Sequence, residues 1–379
     1  MRIVVISTIR DIWGGSEELW ANMADEFLKN NNNKILHVSY ENKQIHPKLL
    51  NLKSKGLIIS TRPGYIKANS SEISKLLQIG INFLKKKIIN PLSNVKKFKP
   101  DVVIYNGTCY SIAKEKELIR YIRNDKYVKF FIIGHLNSDT TREINDYEAN
   151  IIKNIYSICQ KVFFVSNRNI ITAERHLCTN IGNAFILKNP VNLNRIEYIE
   201  YPQGELMLFA MVGNLNTKHK GQDIVLSILS EPYWRTQNWR LNIYGTGPDE
   251  KYLNDLINHY SIADKVIICG SVTDMNGLWA KNQILLMPSH MEGMALAIVE
   301  AMICGRPVIA SDVGGASEWI SDKVNGFIAE AATKNAFKKV MLEACAIFKN
   351  WEKMGKDAHI ESMKLYDVTP GKTLLKHLN

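Results

Sequence analysis

The chain has 379 residues, enough for two domains of ordinary size. Its 46% hydrophobic and 22% charged residues are those of a globular protein and exclude extensive disorder. The net charge of +11 calls for an anionic partner or surface, but no zinc finger, RNP-type aromatic motif or other nucleic-acid module accompanies it, so nucleic acid is not the expected partner.

The opening residues MRIVVIST read as a strand, Arg2–Ser7, and lack the charged-then-apolar layout of a signal peptide. No apolar run reaches the roughly 20 residues that a membrane span needs, so a cytoplasmic location is expected. Gly14 and Gly15 form a turn that opens a helix over residues 16–30, with Ser16 as its expected N-cap and Glu17 and Glu18 in the first turn. Residues 44–100 are poorly patterned and read as a place for insertions. They hold a basic segment, 85–99, in which Lys85, Lys86, Lys87, Lys96, Lys97 and Lys99 alternate with Leu84, Ile88, Ile89, Leu92, Val95 and Phe98, without an acid. Such a segment suits a solvated face or a peripheral anionic membrane contact at the inner membrane face, its apolar side chains entering the interface.

Further strands are expected at 101–105, 128–133, 161–165 and 184–187, then at 206–212, 240–244, 266–269, Ile284–Met287 and 307–310. Helical patterns lie between them, as at 144–159, 249–260 and 295–304. Short β-branched runs alternating with helices imply parallel sheets with crossover helices, and two such sets imply two doubly wound α/β domains. The boundary is placed at Asn189-Pro190-Val191-Asn192, where proline disfavours helix. The domains are then 1–190 and 191–357, with 358–379 as a final segment. The six cysteines show no metal or redox spacing and read as small buried residues.

The densest signal is LLMPSHMEGMALAIVE, from Leu285 to Glu300. A strand ends at Met287, Pro288 and Ser289 turn the chain, and Gly293 is expected to open a helix with Met294, Ala295 and Leu296 in its first turn. The free N–H groups and dipole of a helix start favour an anion such as a diphosphate. Glu292 and Glu300, eight residues apart, would span roughly 12 Å of helix. One is then placed to take sugar hydroxyls and the other ribose hydroxyls. The bare spacing is also common on the surface of an amphipathic helix; the strand, turn and glycine around it are what single it out.

These motifs resemble the GT-B-fold glycosyltransferases, in particular the retaining glycosyltransferase family 4. The resemblance rests on Pro288-Ser289, Glu292-Gly293, Glu300-Ala301-Met302, Gly305-Arg306-Pro307-Val308-Ile309-Ala310, Gly314-Gly315, Glu318 and Asn325-Gly326, all in order. Gly245-Thr246-Gly247-Pro248, Lys220-Gly221-Gln222-Asp223, Gly14-Gly15-Ser16-Glu17 and the Asn189–Asn192 stretch agree with it. The match is dense over 212–327 and thin before that.

The resemblance implies a GT-B fold, two Rossmann-like doubly wound domains facing across a cleft, with 358–379 packing back on the first. It implies retaining transfer of a sugar from a nucleotide-diphosphate sugar to a hydroxyl of a glycan or lipid-linked acceptor, in cell-envelope glycan or polysaccharide synthesis. By resemblance, Lys220 contacts the donor diphosphate, Glu292 and His135 act at the transferred sugar, and Gly14 and Gly15 close over the donor. Glu300 takes the ribose, Gly293, Met294, Ala295 and Leu296 the phosphates, and Val272 the base. The family often carries an arginine where this chain has Asn214, which leaves open what replaces that charge. No D-x-D motif is present, so neither a metal nor a cofactor besides the donor is expected. A GT-B-fold nucleotide-sugar epimerase, a phosphorylase and an inactive nucleotide-sugar-binding protein share this architecture. A dehydrogenase is disfavoured, because the first turn lacks a clean G-x-G-x-x-G.

Overall fold

The computed structural model describes residues 1–9, 12–42, 44–62, 92–125 and 127–378. The chain divides into two compact units, Met1–Pro190 with Asp367–Asn379, and Val191–Tyr366. Each unit is built on one parallel sheet.

Among the described residues the first sheet has seven strands in the order β3-β2-β1-β4-β5-β6-β7. They are β1 (Arg2–Ser7), β2 (Lys34–Tyr40), β3 (Ile58–Arg62), β4 (Val102–Gly107), β5 (Lys129–Gly134), β6 (Lys161–Phe164) and β7 (Ala184–Ile186). Successive residues serve opposite faces. Val4 and Ile6 enter one buried cluster with Val103 and Tyr105, whereas Ile3 and Val5 enter another with Val102 and Ile104. Both faces are covered, which is why these strands read as unbroken apolar runs. Helix α1 (Gly15–Phe27) covers one face with Leu19, Trp20, Met23 and Phe27.

The second sheet has six strands in the order β10-β9-β8-β11-β12-β13. They are β8 (Met207–Val212), β9 (Trp239–Tyr244), β10 (Val266–Gly270), β11 (Ile284–Met287), β12 (Val308–Ser311) and β13 (Gly326–Ala329). Phe209, Ile243 and Leu286 pack on one side, and Ala210, Leu285 and Val308 on the other. Arg306 is fully buried in this unit. Its guanidinium donates to the carbonyls of Trp279, Asn282, Ile199, Cys304 and Glu200 at 2.7–2.9 Å.

Several expectations change. The helix 351–365 (Trp351–Leu365) runs on within the second unit, so the chain re-enters the first unit at Asp367 rather than at 358. The last helix, Pro370–Leu378, then packs on α1, where a Cβ on Gly371 would stand 2.6 Å from the backbone of Asn22. Strands β2, β3 and β13 were not expected. His37 interrupts the apolar run of β2, β3 is an edge strand ending Ser60-Thr61-Arg62, and β13 has only four residues and opens with Gly326. Ser16 does not cap α1, because the helix starts a residue earlier with Gly14 at the N-cap. Glu17 and Glu18 are buried rather than solvated in the first turn. Cys109, Cys159 and Cys304 are buried as expected, but Cys178 and Cys269 are exposed.

Of the basic segment, residues 85–91 lie outside the described residues. The short helix Ser93–Phe98 buries Val95 and Phe98, and Leu92 is buried beside them. These side chains belong to the core and do not face a membrane interface, while Lys96, Lys97 and Lys99 are exposed. Among the described residues no helix is long and apolar enough to cross a membrane.

Candidate functional site

In both sheets the strand order reverses beside the first strand, between β1 and β4 and between β8 and β11. Open α/β sheets bind ligands outside the carboxyl ends of the strands at such a reversal. The residues singled out in the sequence gather there, one group in each unit.

In the second unit, β8 runs into Gly213 and Asn214, and β11 runs into Pro288 and Ser289. Lys220 ends the single helical turn Thr217–Lys220, which Asp249 holds by accepting from the Thr217 N–H at 2.7 Å and its hydroxyl at 2.8 Å. The Lys220 ammonium donates to Glu292 Oε1 at 2.6 Å, and both side chains are largely shielded. Two glycines bring the supporting loops together. Gly221 has a φ of +63°, and a Cβ on it would lie 2.2 Å from the Pro288 carbonyl oxygen. Gly314 has a φ of +54°, and its Cβ would meet the Glu292 carbonyl oxygen at 2.3 Å. The Gly315 N–H donates to the Gly293 carbonyl at 2.8 Å, so the loop carrying Glu292 is tied to the one after β12.

The helix after β11 begins at Leu296, with Ala295 as its N-cap. Gly293 and Met294 therefore lie in a loop, and Glu292 and Glu300 are not separated by two turns of helix. At this loop the Gly293 carbonyl goes to the Gly315 N–H instead of to a helix ladder, and the Glu292 carbonyl packs against Gly314. Glu300 is inside the helix and buried, and its Oε1 accepts from the backbone N–H of Asn192 at 2.8 Å and from its side-chain amide at 3.3 Å. The interdomain sequence motif thus positions a carboxylate, a role that spacing alone does not reveal. Asn214 is exposed, and its carbonyl accepts from the Gln222 amide at 2.9 Å. Val272 follows β10 and packs partly against the cluster containing Tyr244 and Met287.

In the first unit, β1 ends at Ser7, β4 at Asn106-Gly107 and β5 at Gly134, with His135 next. Register places Ser7 beside Asn106 and Gly107 beside Gly134. His135 Nε2 lies 2.7 Å from Asn106 Oδ1. The Asn106 amide donates to Glu17 Oε1 at 2.8 Å and to the Ser16 carbonyl at 3.2 Å. Glu17 also accepts from the Ser7 hydroxyl at 2.7 Å and the Trp20 indole at 2.9 Å. Burial pushes the Glu17 carboxyl from its ordinary 4.5 up to about 7, although these three donors oppose the shift. His37 stacks on Trp20 with ring centroids 4.3 Å apart and stands 3.9 Å from Glu17 Oε2. Burial lowers His37 to about 3 and His135 to about 4, so both rings are neutral near pH 7. Gly14 and Gly15 begin α1 beside this group. Asn106 and Glu17 were not singled out by the sequence as functional. The signals available were the Gly14-Gly15-Ser16-Glu17 motif for Glu17 and, for Asn106, its place at the carboxyl end of a strand in the reversal.

Residues 207–346 match the family model Glycosyl transferases group 1. An uncharacterized glycosyltransferase of Methanocaldococcus jannaschii is 26% identical over 69% of this chain and 76% of its own length. The poly(ribitol-phosphate) alpha-N-acetylglucosaminyltransferase of Staphylococcus aureus is 23% identical over 70% of this chain and 51% of its own length. Other curated relatives are matched over only 34% and 31% of their lengths. Among solved structures, HepE of Anabaena in complex with UDP superposes with a TM-score of 0.75 over 100% of this chain and 99% of that one, at 15% identity. Residues 207–346 thus form a glycosyl transferases group 1 domain, and the fold as a whole is that of the GT-B structures on which the chain superposes.

Proposed function

We propose that the chain transfers a sugar from a nucleotide-diphosphate sugar to a hydroxyl acceptor, with retention at the anomeric carbon. The observation that carries this reading is the Lys220–Glu292 pair at the strand reversal of the second sheet, 2.6 Å apart and flanked by close-packed glycine turns. A shielded ammonium beside a loop that leads into a helix start is suited to a diphosphate. When the phosphates arrive, Lys220 turns from Glu292 to them, and the freed carboxylate is available to sugar hydroxyls. Glu300, held by Asn192, is assigned to the ribose hydroxyls. Backbone N–H groups of Gly293, Met294, Ala295 and Leu296 supply further donors, and Val272 borders the base. Asn214 brings no charge, and Lys218 and His219, in the helical turn that follows, are the candidates for its place.

In the first unit, His135 and the Gly14-Gly15 turn are assigned to the transferred sugar and the acceptor. Leaving diphosphate and incoming hydroxyl then meet on one face of the sugar, and positioning with electrostatic stabilisation supplies the rate. Lys220 and the helix start stabilise the leaving group in place of a metal. HepE was solved with UDP and with UDP-glucose, and the staphylococcal relative acts on poly(ribitol-phosphate). These support a nucleotide-sugar donor and a cell-envelope glycan acceptor. The test is incubation with a nucleotide sugar and a polyol-phosphate or lipid-linked acceptor, following nucleoside diphosphate release and reading the product anomer by NMR. Release with the donor's anomeric configuration kept agrees with the reading; an inverted product removes the retaining mechanism.

A further inference from the structure

The three-residue chain from α1 to the end of β5 has a fixed direction of hydrogen bonding. The Asn106 amide nitrogen faces two acceptors, Glu17 Oε1 at 2.8 Å and the Ser16 carbonyl at 3.2 Å. Turning this amide over would set its oxygen against both, an acceptor against acceptors in a buried site. Its nitrogen is therefore locked toward α1, and its oxygen toward His135 Nε2 at 2.7 Å. An amide oxygen only accepts, so Nε2 must carry the hydrogen. In a neutral imidazole the other nitrogen then holds the lone pair. His135 Nδ1 is shielded from solvent and has no hydrogen-bond partner among the described residues. A buried ring nitrogen left without a partner is an acceptor still to be filled.

We propose that Glu17 and Asn106 are positioning residues that hold His135 in its Nε2–H form and so present Nδ1 as an acceptor for a hydroxyl of the bound substrate. This rests on the assignment of His135 to the sugar and acceptor. The relay explains why a carboxylate occupies a site as buried as that of Glu17, which is 1% exposed. An apolar residue there would leave the Ser7 hydroxyl and the Trp20 indole without their acceptor and the Asn106 amide with the longer bond to the Ser16 carbonyl alone. It also makes His135 a discriminating group. A hydroxyl donates to Nδ1, whereas a substrate lacking that hydroxyl leaves the nitrogen unpaired. The ring cannot change tautomer to suit, because Asn106 will not donate to it.

The experiment is nitrogen-15 NMR of the full chain, labelled on histidine, with the His135 signals assigned by their loss in His135→Gln. The wild type should show Nε2–H and bare Nδ1 at His135 across pH 6 to 8. Asn106→Leu and Glu17→Met should show both tautomers in exchange, and Glu17→Gln, which keeps an acceptor oxygen, should return the wild-type signature. A wild-type ring protonated on Nδ1, or an Asn106→Leu ring unchanged from wild type, overturns the proposal. Should Glu17→Met not fold, the wild type and Asn106→Leu still decide. With a working donor, Asn106→Leu should lower kcat by about 10- to 100-fold with the donor Kd unchanged. If His135→Ala turns over normally, the assignment of His135 to the substrate fails while the tautomer result stands on its own.

Discussion

Lys220 and Glu292, 72 residues apart in sequence, meet at 2.6 Å at the carboxyl ends of β8 and β11. An ammonium paired this way is neutralised but not spent. It is held at the sheet's strand reversal by a carboxylate that a diphosphate can outbid in charge. Lys220→Ala should therefore weaken binding of a nucleotide-diphosphate sugar by about 10- to 100-fold, the worth of one charge-assisted contact of about 1.5–3 kcal/mol. Binding of the free nucleoside, which lacks phosphates, should change little. Calorimetric titration of both ligands checks the contrast; equal losses for both would place Lys220 elsewhere than on the phosphates.

Charge on the leaving group is assigned to Lys220 and to the start of the helix Leu296–Ile303. Turnover should accordingly persist at nearly full rate in excess EDTA. Loss of activity that magnesium or manganese restores would show that these groups do not suffice.

Glu17 gives stability a pH dependence of known sign. Its carboxyl is raised from 4.5 to about 7 in the fold, so between those values the folded state binds more protons than the unfolded one. Stability must then fall as pH rises through that window. Glu17→Gln does not titrate, and both proteins keep His37 and His135, whose contributions largely cancel in the comparison. The Tm difference between the two should move in favour of the variant from pH 5 to pH 8, by an amount equivalent to roughly 2 kcal/mol. A difference constant with pH would mean that Glu17 is already ionised at pH 5.

Most of the second unit was legible in the sequence because its strands are doubly covered and its motifs have fixed spacing. Strand β11 and the Pro288-Ser289 turn lie where the pattern LLMPS puts them. What escaped is tertiary. The Gly293–Ala295 loop looks helical by composition, but the Gly293 carbonyl goes to the Gly315 N–H, in a turn some twenty residues on. The Asn192–Glu300 contact joins residues 108 apart. In the first unit, Glu17 reads as an ordinary first-turn acid on a helix. Only the placement of β4 beside β1 reveals Asn106 next to it. The apolar residues of 92–98 were legible as a stripe, but a stripe does not say whether a core or a membrane covers it.

Arg306 anchors the second unit through six backbone carbonyls, those of Ile199, Glu200, Trp279, Asn282, Cys304 and Gly305. Arg306→Met fills similar volume but leaves those carbonyls unpaired in the interior. It should destabilise the protein by about 3 kcal/mol or more. Denaturant unfolding followed through the tryptophans measures this, and a change below about 1 kcal/mol would mean that water replaces the guanidinium.

A panel of nucleotide-diphosphate sugars titrated calorimetrically into the wild type and into Glu300→Ala bears on the donor site itself. One donor should bind the wild type, and Glu300→Ala should lose at least about tenfold in affinity, a change of about 1.4 kcal/mol, while keeping the wild-type circular dichroism spectrum. Equal affinity of that donor for the wild type and a folded Glu300→Ala would contradict the assignment of Glu300 to the ribose of the bound nucleotide.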